Sequence, residues 1–157
     1  MFFRSIAMTL MVAAMAMAQT TTTTTRSFTI GPVGVGSTET IQVNIANLAT
    51  NSANGTAASC TGSIAFNNAT GTAIGTATTF TVTANQIFSA SLPFSRIAAS
   101  GVRAEVLGVI SLTTSSTANT RTPCSLHYSL ETFDTATGAT HVHVTGVADG
   151  FGGGGGR

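Results

Sequence analysis

Three histidines, His127, His141 and His143, hold the coordination chemistry available to this chain, and all lie between Cys124 and Val147. Alternate side chains of a strand point to the same side, so the pair in His141-Val142-His143 stands on one face about 7 Å apart at the Cα atoms. Folding the segment back on Asp134-Thr135-Ala136-Thr137-Gly138, with Thr135 paired to Ala139, sets Glu131 directly across from His143. Two imidazoles and a carboxylate are a donor set for zinc with an open fourth position. Glu131, His141 and His143 are therefore the candidate metal ligands, while His127 lies two residue pairs from Glu131. Any His-x-His on a strand shows this phase, and a solvated polar face reads the same way. The expectation is a protein without an obligatory cofactor, with Zn²⁺ as the alternative.

Catalytic arrangements are sparse. The chain has no G-x-S-x-G elbow, no H-E-x-x-H and no phosphate loop. Glu131 and Asp134 are its one close acid pair after the leader, and their strand parity differs, so they do not face one cleft. The expected catalytic set is none. Sugar recognition through stacked rings also lacks its platform, because there is no Trp and Tyr128 has inward parity. Phe133 shares the outer face with His141 and is the candidate anchor for a partner.

The residues that must position these groups form a hairpin. Cys124, Leu126, Tyr128 and Leu130 alternate with Ser125, His127, Ser129 and Glu131, the period of a strand with one buried face. Past Gly138, Val142 and Val144 face inward. The proposed pairing places Leu130 beside Val144 and Thr132 beside Val142, and a slip of one residue would turn the valines to water. Cys60 shares parity with Ile64 and Phe66, so both cysteines point inward. A Cys60–Cys124 disulfide is expected, closing a loop of roughly 65 residues worth about 4 kcal/mol.

Upstream, the pattern predicts strands at Ser27–Ile30 (ended by Gly31-Pro32), Glu39–Leu48, Cys60–Phe66 and Thr78–Thr83. Another follows through Phe88, Ala90 and Leu92, then a short crossover at Ile97–Gly101 and a long strand at Val102–Thr113. The last carries apolar residues on both faces, Leu107 and Val109 outward, which marks a central strand. Thr114–Pro123 reads as a loop. Seven to eight short strands without an amphipathic helix give an all-β, immunoglobulin-like antiparallel β-sandwich with one disulfide. The antibody-type signature is missing, since Tyr128 follows the second cysteine.

Composition sets the class. Charged residues make up 7% of the 157 and the net charge is +1, so there is no basic patch to neutralise phosphates and nucleic acid is excluded as a partner. The 43% hydrophobic content argues against disorder. Residues 1–18 read as a signal peptide: Arg4, an apolar run from Ile6, then Ala16-Met17-Ala18 before Gln19. That run, roughly 14 residues, is too short to cross about 30 Å of hydrocarbon, so no membrane span is expected after cleavage. Residues 19–26 read as a Thr-rich flexible linker, 27–147 as the sandwich and 148–157 as a Gly-rich disordered tail.

Four stretches carry a resemblance: F-x-I-G-P-V-G-V from Phe28, E-T-I-Q-V-N-I-A-N from Glu39, the cysteine heading the third strand, and P-C-S-L-x-x-S-L-E-T-F-D-x-A-T-G-A-T from Pro123. Together they resemble a family of secreted bacterial immunoglobulin-like β-sandwich proteins of unknown function. The resemblance covers about Phe28–Thr145; it implies export and a sandwich and brings no activity. The resulting expectation is a secreted or periplasmic, non-catalytic structural or interaction module with a protein partner or self-association. The alternatives are a metal-binding periplasmic protein using the histidine face and a subunit of a surface assembly or adhesin.

Overall fold

Alternating apolar residues become strands here wherever a second sheet can cover them. The structure, a computed structural model, describes residues 21–49, 59–97, 99–117, 120–121 and 124–150. In chain order the strands are β1 (Thr22–Gly36), β2 (Glu39–Asn47), β3 (Ser59–Asn68), β4 (Ala73–Thr83), β5 (Ile87–Pro93), β6 (Arg103–Thr117), β7 (Thr120–Arg121), β8 (Cys124–Asp134) and β9 (Thr140–Gly150). One sheet has the order β1-β6-β3-β4, with the two-residue β7 on the end of β6; the other has the order β5-β2-β8-β9. All pairings are antiparallel. The fold is an immunoglobulin-like β-sandwich of eight principal strands.

The inner faces meet in one core. Val35, Val106, Ile110 and Leu112 from the first sheet pack with Ile41, Val43, Ile45, Leu126 and Leu130 from the second, each at most 1% exposed. Complete burial of such side chains contributes about 1.5–3 kcal/mol apiece before ordering costs. The expected disulfide is present: Cys60 on β3 is bonded to Cys124 on β8, with Cα atoms 5.3 Å apart, so it ties one sheet to the other. Asn47 is a buried polar anchor. Its side-chain amide donates to the Val82 carbonyl at 3.0 Å and its Oδ1 accepts the Ala49 N–H, stapling the end of β2 to β4.

Several sequence expectations need correction. β1 begins at Thr22, so Thr22–Arg26, expected as flexible linker, form strand pairing with Leu112–Ser116 of β6. β-Branched threonine favours the extended backbone, and the partners carry matching hydroxyls. Thr25, Thr113, Thr61 and Thr81 stand in one row across the sheet, and Ser27, Ser111, Ser63 and Thr79 in the next. Cross-strand hydroxyl pairs of this kind stabilise a sheet, and Ser27 and Ser111 hydrogen-bond at 2.9 Å.

β1 also continues past Gly31-Pro32, because a register shift between Ile30 and Val33 absorbs the interruption, with Gly31 at φ +102°. The loop expected after Thr113 is largely strand. A short helical turn forms at Phe94–Arg96, ahead of the expected crossover. β9 reaches Gly150, so residues 148–150 of the expected tail are strand. The signal peptide, the first part of the linker and the rest of the tail lie outside the described residues.

Candidate functional site

β8 and β9 pair as the alternation required at Leu130 with Val144, Glu131 with His143 and Thr132 with Val142. The expected Thr135–Ala139 pair does not form: the register shifts after Thr132, and the Asp134 N–H donates to the Ala139 carbonyl instead. Val144 nevertheless remains 37% exposed, because β9 is the edge of its sheet and little covers it. β2 lies on the other side of β8, setting Ala46, Asn44 and Gln42 beside His127, Ser129 and Glu131. β5 adds Ile87, Ser89 and Ser91 beside the same three β2 residues. Outward-facing groups from four strands thus form a regular grid.

The middle of that grid is hydrogen-bonded to itself. Asn44 Nδ2 donates to Glu131 Oε1 at 2.8 Å and to Ser129 Oγ at 3.3 Å. Gln42 Nε2 donates to Asn44 Oδ1 at 2.7 Å and to Glu131 Oε1 at 3.3 Å. The Ser89 and Ser91 hydroxyls donate to Asn44 Oδ1 and Gln42 Oε1. Glu131, expected to face His143 as a metal ligand, is held by two amides.

His141 is turned elsewhere. The register shifts between Thr132 and Phe133, so Phe133 opposes Thr140 and His141 is the extra residue of a bulge. A bulge bends its strand and re-aims the side chain it carries. His141 Nδ1 contacts Glu39 Oε1 at the start of β2, and Glu39 Oε2 accepts the Gly36 N–H at 2.6 Å. The proposed set of Glu131, His141 and His143 is therefore not brought together. Among the described residues, no three His, Cys, Asp or Glu side chains gather as a metal ion would require. Asp134 is occupied in its own turn, where Oδ1 accepts the Ala136 and Thr137 N–H groups at 3.0 and 2.8 Å.

Glu39 is the site residue that sequence reading missed, since its partner lies two strands away and depends on a bulge. Its carboxyl is held below the ordinary glutamate range, first by the His141 contact, then by the Gly36 N–H, with His141 and Arg103 adding positive potential. A carboxyl depressed in the folded state contributes stability above its unfolded pKa and loses it as pH falls through the folded value. We expect denaturant midpoints to fall between about pH 5 and more acid values, and Glu39→Gln to flatten that acid limb. An unchanged limb in the variant would show that the contact carries no linkage.

Phe133 is half-buried, which weakens its role as a partner anchor. Ile87, unremarked in the sequence because only its inward neighbours were diagnostic, is an apolar side chain exposed on this face, at 72%. Beside it lies a shallow recess of about 320 Å³, lined by Asn44, Ile87, His127, Ser129, His143 and Thr145 among others. Two of the three histidines thus share a site, though a different one from that expected. Compared with family models, curated proteins and solved structures, the chain matches none.

Proposed function

We propose that this chain is an exported, non-catalytic interaction module: a rigid sandwich that presents a binding face and performs no covalent chemistry. The observation that carries the reading is how the three acids of β2 and β8 are used. Glu39 is spent on His141 and the β1–β2 turn, Glu131 on the amides of Asn44 and Gln42, and Asp134 on the hairpin turn. A general acid or base must reach the proton it transfers, and these carboxylates are occupied in holding strands in register. What the same face leaves open is a recess beside an exposed isoleucine, the mixed apolar and polar surface suited to recognition.

Export is supported by the leader pattern of residues 1–18 and by a buried cross-sheet disulfide, a bond characteristic of oxidising compartments. No helix among the described residues is long and apolar enough to cross a membrane. The motifs starting at Phe28, Glu39 and Pro123 support placement among secreted bacterial sandwich proteins.

A photo-crosslinking amino acid placed at Ile87 in the producing cells tests the module directly. The expected product is a discrete adduct in the extracytoplasmic fraction, absent when the same probe replaces Thr79 on the opposite sheet. No adduct, equal adducts from both positions, or a chain retained in the cytoplasm would overturn the reading.

A further inference from the structure

The recess on the β5-β2-β8-β9 sheet has a lining chemistry that narrows what it can hold. Ser129 and Thr145 are direct cross-strand partners and form its floor. His127 lies two residues before Ser129 on β8, and His143 two residues before Thr145 on the antiparallel β9. The imidazoles therefore stand at diagonally opposite ends, four residues or about 13 Å apart along the strands. That diagonal suits a ligand lying between them and does not suit a single metal ion gripped by both.

The polar groups are poised to donate as well as accept. Asn44 Nδ2 donates to Ser129 Oγ, so the Ser129 hydroxyl proton is left to donate into the recess. A neutral imidazole offers one donor and one acceptor, and a threonine hydroxyl does both. No Asp, Glu, Lys or Arg lines the recess, so nothing there selects for formal charge on a ligand. Ile87 adds an apolar wall at one side.

A volume of about 320 Å³ lies at the small end of ligand sites. Tyr128 also borders the recess, but its ring occupies the space where Gly146 would carry a Cβ, so it does not serve as a stacking platform. Recognition here runs through hydrogen bonds. The ligand class that fits is neutral, rich in hydroxyls that donate and accept, and bearing C–H faces for Ile87.

We propose that this recess binds a neutral carbohydrate, held between His127 and His143 over the Ser129–Thr145 floor with one C–H face against Ile87. The proposal rests on the interaction-module reading and names its ligand class. The test is an array of neutral and anionic oligosaccharides probed with the mature, disulfide-intact chain, followed by titration calorimetry with the best neutral glycan. Binding is expected from neutral members, weakened about tenfold or more by His127→Ala and by Ser129→Ala, and unchanged by Thr79→Ala. Thermal unfolding of each variant confirms that these exposed or half-buried changes leave the fold intact.

Absence of neutral glycan binding, binding confined to anionic glycans, or full affinity in both recess variants would overturn the carbohydrate assignment. An Ile87 crosslink to a protein in the absence of glycan binding would end this assignment while leaving the module reading in place. Loss of both would end both.

Discussion

Replacing Cys60 and Cys124 together by alanine is expected to lower the unfolding free energy by about 4 kcal/mol, from loop-closure entropy alone. The two cysteines are 64 residues apart in sequence, and a loop of that size leaves the reduced, unfolded chain much freer than the bridged one. Both are almost wholly buried, at 1% and 5% exposure, so the double variant also loses packing between the sheets. A typical domain holds only about 5–15 kcal/mol in total, which makes this single bond a large fraction of stability. Urea unfolding of the two forms measures the difference directly. A loss below about 1 kcal/mol would mean that the unbridged chain is already constrained before it folds.

The second large effect concerns a missing side chain. Gly62 on β3 sits between Phe80 of β4 and Leu112 of β6. A Cβ added there would lie 2.1 Å from the Ser111 carbonyl oxygen and 2.7 Å from the Phe80 ring. The ring could tilt, but the carbonyl belongs to a central strand whose own pairing would have to shift. Gly62→Ala is expected to cost about 3 kcal/mol or more, at the upper end of overpacking effects. Gly101→Ala is the contrast, because the nearest atom to its added Cβ is 4.0 Å away; a change within about 0.5 kcal/mol is expected. Comparable urea midpoints for the two variants would refute the crowding argument.

Much of this architecture was legible in the residues. Strand parity is a local property, so alternation through Ile41, Val43 and Ile45, or through Leu126 and Leu130, named the buried face without reference to any partner. It also set the β8–β9 register, because only one pairing kept Leu130 with Val144. The same parity placed both cysteines in the core.

What failed was whatever depended on a neighbour. The threonines of β1 are polar on both sides and show no period, and their strand identity comes from the Ser/Thr rows on β6, β3 and β4. His141 left its predicted place because a bulge adds one residue to β9, and no side chain announces that insertion. Glu39 and Ile87 went unnoticed because one acts through that bulge and the other through exposure on a sheet whose strand order the sequence does not state.

The position of the disulfide also sets how the domain responds to tension. Once a pull between Thr22 on β1 and Gly150 on β9 has parted the strands, tension in the chain would pass from residue 60 straight to residue 124, so the segment holding β4 through β7 would not be extended. Only the two flanks could pay out, leaving about half of the described span coiled inside the closed loop. Pulled from its two ends, such a body would extend by its flanks alone and then stop at the covalent bridge.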